Sequence, residues 1–523
     1  MCFRRKLSSP SVVKWLGLVT AIWVQSIAGN NYTFSNYSDE LKSLMNLTQT
    51  ELNTLSFVKD FGKAFGLISG YAADVLPTWL ILLIGSVEGF FGYGGQWLVV
   101  SKNVKPYPYW QMCVFIFLGG NSTTWMNTAV LVTCFRNFRN HRGPVAGILK
   151  GYLSLSTAIV TDFCAAMFNN APSSFVAMLS IAPIPVCITA MLFLRDAPLS
   201  ASEEDGNDYS KHFFAVNTLA VVVALYLLAY NFIPNPSHPL SLVFSIVLLF
   251  LLVSPLSVPI FSFFRTSQSG EINRDTESSE AVKPLIADIS GEDRSTEVDI
   301  GEEHTICQAI KKFDFWVLFA SFLCGVGPGV AIQNNLGQIG LALGYSTVSI
   351  FVSLMSIWGF FARIISGTVS EYFIKKKGMP RLKWNAASQI VIGVGFVVMA
   401  LGLPGCLYVG SILIGAGHGV RLPITVAAAS ELFGLEIIGI VYNIMIMNLP
   451  LGSFLFSGLL TGYLYDAQAT PTEGGGNTCV GLHCFELIFF IMAIVCVLGL
   501  LLDIFLVVRT RHVYQKLYLS RSN

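Results

Sequence analysis

Apolar segments long enough to cross a lipid bilayer recur from Val12 almost to the C-terminus of this chain. A hydrocarbon core about 30 Å thick needs about 20 apolar helical residues to cross it. With 53% hydrophobic and only 12% charged residues, the sequence predicts an all-α polytopic membrane protein. Fourteen spans are expected near residues 13–35, 51–75, 77–100, 109–135, 144–168, 173–194, 212–233, 240–264, 314–336, 347–372, 384–402, 406–431, 438–465 and 484–508. Twelve spans are the alternative, because Pro255 and Pro259 blur one boundary.

Lysine and arginine residues collect in alternate loops, which predicts the orientation of the chain. The basic loops hold Arg4, Arg5, Lys6, Arg136, Arg139, Arg142, Lys375, Lys376, Lys377, Arg381, Arg509 and Arg511. Both termini and the polar segment after residue 264 are therefore expected in the cytoplasm. The glycosylation sequons at Asn36 and Asn46 then lie on the opposite side. Cys479 and Cys484, beside the outer end of the last span, are expected either to form a disulfide or to remain free thiols.

One phrase occurs twice, as "ISGYAAD" at residues 68–74 and as "ISGTVSE" at residues 365–371. Each copy lies at the cytoplasmic end of the second helix of a six-helix block, which indicates a duplication typical of transporters. The glycine allows two helices to approach closely, and the carboxylate can pair with a cation or a helix N-terminus in one gate state. The predicted gate comprises Gly70, Asp74, Arg363, Gly367 and Glu371. A packing glycine beside an ordinary interfacial acid is the alternative.

The duplication divides the chain into four predicted parts. These are an N-terminal six-helix bundle at 1–195, two linking helices at 196–264, a disordered cytoplasmic loop at 265–313, and a C-terminal six-helix bundle with its tail at 314–523. The loop is acidic, rich in Ser and Thr, and poor in apolar residues, as disordered segments are.

The repeated phrase resembles the loop signature of the major facilitator superfamily, Gly-x-x-x-Asp followed by basic residues. Gly367, Glu371 and the following "KKKG" match it, whereas the first copy continues as "DVLPTW" without a basic residue, so its latch is expected to be weak. The segments "KWLGLVTAIWVQSIAGNNYTFSNYSDELK", "VKDFGKAFGLISG", "GNSTTWMNTAVLVTCFRNFRNHRGPVAGILKGYLSLSTAI" and "SELFGLEIIGIVYN" resemble the plant nodulin-like branch of that superfamily. This resemblance implies a fourteen-helix transporter built from two pseudo-symmetric six-helix bundles plus two linking helices.

Polar residues within the spans are the candidates for binding a solute, because such residues are costly in lipid and line pathways. The expected binding residues are Gln25, Asn31, Tyr32, Lys150, Gln333, Asn334, His418 and Arg421, and the expected proton carriers are Asp60, Asp162 and His418. Pro328, among three glycines, is expected to interrupt its helix and expose carbonyl groups. His418 and Arg421 lie three residues apart on one helical face, where a structural ion pair is the alternative to anion binding.

The sequence therefore predicts a secondary transporter that carries a small, carboxylate-bearing organic solute by alternating access with proton coupling. The alternatives are a transporter-like membrane receptor or regulatory protein without transport, and a carrier of a neutral or zwitterionic solute. The chain contains no His-Glu-x-x-His or Gly-x-Ser-x-Gly motif, so no enzyme activity, cofactor or metal is expected. A net charge of +1 gives no indication of a nucleic-acid partner. The protein is expected to be a monomer in the plasma membrane or in an endomembrane such as the vacuolar membrane.

Overall fold

The computed structural model describes most of the transmembrane part of the chain. The described residues are 10–29, 34, 37–47, 49–168, 171–197, 206–231, 233, 237–261, 299–345, 349–468, 470–471 and 477–522. The predictions for Asn31, Tyr32 and Asn36, and for the connecting loop up to residue 298, lie outside these residues.

The first part of the described chain is helical throughout. Its helices are α1 (Pro10–Ile27), α2 (Ser38–Met45), α3 (Gln49–Ala64), α4 (Gly66–Val75), α5 (Thr78–Val100), α6 (Tyr109–Asn137), α7 (Arg142–Phe168), α8 (Pro172–Ile181), α9 (Pro183–Phe193), α10 (Gly206–Asn231) and α11 (His238–Val253). Short 3-10 turns lie at Arg139–His141 and Ser254–Leu256.

The second part begins with a short helix and adds one very small hairpin. Its helices are α12 (Ile306–Lys311), α13 (Phe313–Ala342), α14 (Ser349–Lys377), α15 (Leu382–Ala400), α16 (Cys406–Phe433), α17 (Ile438–Ile446), α18 (Asn448–Gly452), a π-helical segment (Ser453–Thr461), α19 (Gly462–Gln468) and α20 (His483–Ser522). Strand β1 (Thr470–Pro471) pairs with β2 (Asn477–Thr478) in antiparallel register.

The predicted all-helical membrane architecture is confirmed. Within the described residues, ten helices are long and apolar enough to cross a membrane, and they coincide with the fifth to fourteenth predicted spans. The first four predicted spans are also helical, as α1, α3 with α4, α5, and α6. They are shorter, broken or more polar than the other ten.

Proline acts differently at different places in the bundle. The sixth predicted span breaks between α8 and α9 at Ala182, next to Pro183, which cannot donate a backbone hydrogen bond. The expected interruption at Pro328 is wrong, because α13 continues through it. The flanking glycines let neighbouring helices hold α13 closely, since a Cβ on Gly327 would lie 2.5 Å from the Phe456 ring and one on Gly329 2.5 Å from His418 Nδ1.

The two linking helices pack mainly on the first half, and α10 also reaches the second. Trp15 of α1 lies in an aromatic cluster with Tyr209 and Phe213 of α10. Asn217 Nδ2 of α10 donates to Thr368 Oγ1 of α14 at 3.0 Å. Helix α10 therefore contacts both halves of the molecule.

The connecting loop is ordered where it approaches the second half, so the predicted disorder over 265–313 is wrong for residues 299–313. A capping box between Thr305 and Gln308 starts α12. Gly301 N donates to Leu432 O at 2.9 Å, and the Glu303 carboxylate accepts backbone hydrogen bonds beyond the end of α16. Polar composition alone did not reveal these backbone contacts.

Candidate functional site

The two halves meet through glycines at the end of the bundle that carries the loops Arg136–Arg142 and Lys375–Arg381, here called the basic end. Gly70 of α4 packs against Gly439 of α17, since a Cβ on Gly70 would lie 2.6 Å from the Gly439 carbonyl oxygen. Only glycine permits so close an approach of two backbones. The first copy of the repeated phrase thus lies at an inter-half contact.

The second copy makes the corresponding contact between α14 of the second half and α7 of the first. A Cβ on Gly143 of α7 would lie 2.5 Å from the carbonyl oxygen of Gly367 on α14, and one on Gly147 would lie 2.7 Å from that of Arg363. Two glycine contacts, one through each copy of the phrase, therefore close the basic end. The role of these residues as a gate stays a prediction, which the glycine contacts support.

The carboxylate of the first copy is placed between a cation and a helix terminus. Asp74 Oδ1 lies 3.3 Å from Arg136 Nη2 of α6. The same carboxylate lies by the backbone amides of Gly439 and Ile440 at the start of α17, where the helix dipole favours a negative charge. The cation missing after Asp74 in the sequence is thus supplied by α6.

The carboxylate of the second copy belongs to a buried network around Arg381. Arg381 Nε lies 2.9 Å from both oxygens of Glu431 on α16, and Arg381 also donates to Glu371. Its Nη1 donates to Ser370 Oγ at 2.8 Å. The two halves therefore hold their repeated acids by different partners, Arg136 in one and Arg381 in the other.

Beyond the glycine contacts, a lysine of the first half meets a tyrosine of the second. Lys150 Nζ of α7 donates to Tyr442 Oη of α17 at 2.5 Å and lies 4.5 Å from the Tyr442 ring centroid. Lys150 is only 1% exposed, and no acidic side chain among the described residues pairs with its ammonium group. Arg363 of α14 lies nearby and donates to the Lys150 carbonyl at 3.5 Å. The predicted binding residue Lys150 is thus a buried cation on the boundary between the halves.

A second polar contact between the halves lies beside the first. Asn443 Nδ2 donates to Thr128 Oγ1 of α6 at 2.9 Å, and Thr128 in turn hydrogen-bonds with Ser69 of α4. The consecutive residues Tyr442 and Asn443 therefore tie α17 directly to α7 and α6 of the first half, and through Thr128 to α4.

The structure places the predicted pair of His418 and Arg421 in different surroundings. Arg421 is fully buried, and its guanidinium binds Asp503 Oδ2 of α20 at 2.7 Å and the Ser321 carbonyl at 2.5 Å. This favours the structural ion pair that the sequence left as the alternative, and anion binding by Arg421 stays a prediction. His418 packs on Gly329, and its Nδ1 has no hydrogen-bond partner among the described residues.

The predicted amide residues are spread over two places. Gln25 of α1 is fully buried, and neither amide atom has a hydrogen-bond partner within the described chain. Gln333 and Asn334 of α13 are exposed, and Asn334 Nδ2 donates to Ser453 Oγ in the π-helical segment at 3.0 Å. Asn334 thus contacts the π-helical segment, whereas Lys150 contacts α17.

The remaining predicted residues are placed as follows. Asp60 binds Lys63 at 2.8 Å, and Asp162 is buried in α7; their proton-carrying roles stay predictions. Cys479 and Cys484 are joined by a disulfide, with Cα atoms 5.9 Å apart. Asn46 is exposed at the end of α2, as glycan attachment requires.

Sequence reasoning missed Tyr442, Glu431 and Asp503. An acid in an apolar span is rarely left without a partner, and this signal could have identified Asp503 as the counter-ion of Arg421. Tyr442 gave no such signal, because an isolated tyrosine in a span is common.

Comparison with known proteins assigns the chain to a family. The Nodulin-like family profile matches residues 14–260, and the profile of the NFD4 C-terminal domain matches residues 297–516. Protein NUCLEAR FUSION DEFECTIVE 4 of Arabidopsis thaliana is 30% identical over 530 residues, which cover 96% of this chain and 90% of that protein. The chain belongs to the nodulin-like family. The resemblance found in the sequence is thereby confirmed.

This nodulin-like protein also resembles more distant transporters. The Probable transporter mch1 of Aspergillus fumigatus is 23% identical over 213 residues, covering 32% of this chain and 34% of that protein. The proton:xylose symporter XylE has a TM-score of 0.53 and 13% identity, covering 94% of this chain and 95% of its own. The human organic anion transporter MFSD10 has a TM-score of 0.53 and 9% identity, covering 95% and 99%. The fold is that of the major facilitator superfamily.

Proposed function

We propose that this nodulin-like protein is a secondary transporter that carries a small carboxylate-bearing solute by alternating access. The observation that carries the proposal is Lys150, a buried ammonium group at the boundary of the halves whose partner is a phenol and which has no acidic partner among the described residues. The duplicated halves and the family support transport in general, and Lys150 supports the choice of substrate.

The electrostatics around Lys150 favour an anion. A buried charge without a counter-ion is costly, and Arg363 adds a second positive charge close to both Lys150 and His418. A carboxylate that enters from between the halves would neutralise part of this charge. The Lys150 ammonium could then donate a charge-assisted hydrogen bond to one of its oxygens.

The glycine contacts supply the means of alternating access. Gly70 with Gly439, and Gly143 and Gly147 with α14, close the path at the basic end. Separation of these contacts would expose Lys150 to the basic side, and reclosure would direct it to the opposite side. Proton coupling is proposed for His418 or Asp162, with Asp60 a weaker candidate because Lys63 neutralises it.

A neutral or zwitterionic solute held by amides is the second candidate. It is favoured by Gln25, whose buried amide group has no partner within the described residues, and by the exposed amides of Gln333 and Asn334. In that case Lys150 would contribute only to packing between the halves.

Uptake into proteoliposomes tests the proposal. Purified protein is screened by thermal shift against small acids, sugars and amino acids, and stabilising compounds are then measured for uptake at two pH values. Lys150→Gln should lower carboxylate uptake about 10- to 100-fold, because a hydrogen bond to a charged group contributes about 1.5–3 kcal/mol.

Two variants serve as controls. Lys150→Arg keeps the charge and should retain part of the uptake, and Lys102→Gln removes an exposed lysine paired with Glu40 at the opposite end. Equal carboxylate uptake by Lys150→Gln and the parent would reject the carboxylate site. Uptake restricted to neutral solutes would favour the second candidate.

A further inference from the structure

In this structure the Tyr442 phenol occupies the position where a bound carboxylate would meet Lys150. The Lys150 Nζ to Tyr442 Oη distance is 2.5 Å, and the ammonium group also lies over the same ring. Both contacts join α7 of the first half to α17 of the second. The buried cation therefore holds the two halves together.

The same helix carries the glycine contact at the basic end. Tyr442 lies three residues after Gly439, about one helical turn, and Gly439 packs on Gly70. The start of α17 also faces the Asp74 carboxylate. A movement of Tyr442 away from Lys150 is consequently a movement of the helix that closes the basic end.

We propose that Tyr442 is a positioning residue that latches the empty transporter, and that a substrate carboxylate replaces its hydroxyl on Lys150 and thereby frees α17 to separate from α4. This inference rests on the proposed function and adds a coupling between binding and opening. No residue of α17 was predicted from the sequence to take part in transport.

The latch depends on a difference in how strongly the substrate binds the two conformational states. A ligand shifts a conformational equilibrium only by the difference in its affinity for the two states. With the site empty, the contact with Tyr442 favours the closed basic end. With a carboxylate on Lys150, a charge-assisted pair replaces this contact, and the preference for closure is lost.

The latch predicts that loaded and empty transporters reorient at different rates. Substrate exchange, with substrate on both sides of the membrane, needs only the substrate-loaded transporter to reorient. Net uptake from the basic side also needs the empty protein to reopen the basic end, and the latch slows that step. Exchange should therefore be faster than net uptake in the parent.

A pair of matched variants tests the inference. Tyr442→Phe removes the hydroxyl that binds Lys150 and keeps the ring, whereas Tyr152→Phe removes a buried hydroxyl of α7 that has no hydrogen-bond partner among the described residues. Tyr442→Phe should raise net uptake from the basic side about three- to tenfold and leave substrate exchange within about twofold, because it loses one hydrogen bond to a charged group and retains the ring contact. Tyr152→Phe should change neither rate.

Amide hydrogen exchange gives a second measurement that does not depend on flux. In the substrate-free protein, Tyr442→Phe should increase amide hydrogen exchange in α4 and α17, and Tyr152→Phe should not. Saturating substrate should increase exchange in the same two helices of the parent. If Tyr442→Phe changes neither the ratio of substrate exchange to net uptake nor the amide hydrogen exchange of α4 and α17, the latch is rejected. The transporter assignment would remain intact. A parent protein that moves no carboxylate at all would instead reject the proposed function.

Discussion

At the scale of single residues, the smallest side chains determine where the halves touch. Gly70, Gly143, Gly147, Gly367 and Gly439 allow backbone contacts that a methyl group would prevent. The repeated phrase predicted two of these glycines. Their partners on the opposite half could not be predicted, because one sequence does not reveal which helices are neighbours.

A bulky substitution at Gly439 should hold the basic end open. Gly439→Leu places its side chain against the Gly70 carbonyl oxygen and Ala73, and overpacking of this kind costs about 1–3 kcal/mol. We expect a lower maximal uptake rate and faster amide exchange in α4, with the protein still folded. Gly337→Leu is the matched control, since a Cβ there meets no atom within 4 Å. Equal loss of uptake in both variants would show a general effect of the added bulk.

Arg421 illustrates how one long-range contact changes an interpretation. The sequence offered no acid on its own helix, which favoured anion binding. The structure supplies Asp503, 82 positions away on α20, and Ser321 completes the network. The pairing depends on tertiary packing that spacing within one helix could not indicate.

Loss of either member of this pair should therefore destabilise the fold. Arg421→Leu leaves a buried carboxylate without its cation, which costs about 3–5 kcal/mol, whereas Arg421→Leu with Asp503→Leu should recover most of that loss. Thermal unfolding in detergent measures both effects. If Arg421→Leu keeps the parent's unfolding temperature but no longer transports carboxylates, Arg421 is a binding residue after all.

At the scale of elements, the junction between α16 and α17 is where the connecting loop meets the second half. Glu303 accepts hydrogen bonds from the backbone amides of Leu435 and Glu436 at 2.8 and 3.0 Å. Gly434, with φ of +96°, makes room for this carboxylate, because a Cβ there would lie 2.7 Å from Glu303 Cδ. Residues 299–311 thus support the turn that leads into α17.

Removal of the Glu303 charge should loosen this turn without abolishing the fold. Glu303→Gln weakens two hydrogen bonds of a partly exposed carboxylate, so we expect a loss of about 1 kcal/mol in the free energy of unfolding. Amide exchange at residues 434–440 should increase. Glu302→Gln, the exposed neighbour, is the control. Equal exchange in both variants would mean that Glu303 does not support the turn.

At the scale of the whole molecule, the helical spans were predictable because lipid allows few alternatives. Length and hydropathy located both ends of α14 and α16 within five residues and the starts of α13 and α20 within one residue, but α13 and α20 continue 6 and 14 residues beyond their predicted ends. The breaks at Phe65 and at the π-helical segment had no comparable signal. Lys150 was predicted as a binding residue from its charge alone, and only the fold could bring Tyr442 to it.

The orientation of the molecule determines what the closed basic end means for transport. The basic loops predict that this end faces the cytoplasm, so the closed glycine contacts would leave the path open to the opposite side. That opposite end carries the Cys479–Cys484 disulfide and the exposed Asn46. Both features suit a compartment outside the cytosol.

Labelling of single introduced cysteines should decide the orientation. Lys376→Cys lies on the basic end and Lys102→Cys on the opposite end, and both positions are exposed. Both variants also carry Cys2→Ser and Cys307→Ser, because Cys307 is an exposed thiol. In sealed vesicles with the cytoplasmic face outward, a membrane-impermeant maleimide should modify Lys376→Cys at once and Lys102→Cys only after permeabilisation. Enzymatic removal of glycans should shift the parent on a gel and leave the double variant Asn36→Gln/Asn46→Gln unshifted. The reverse order of labelling would place the closed glycine contacts on the outer side, and the empty transporter would then open toward the cytoplasm.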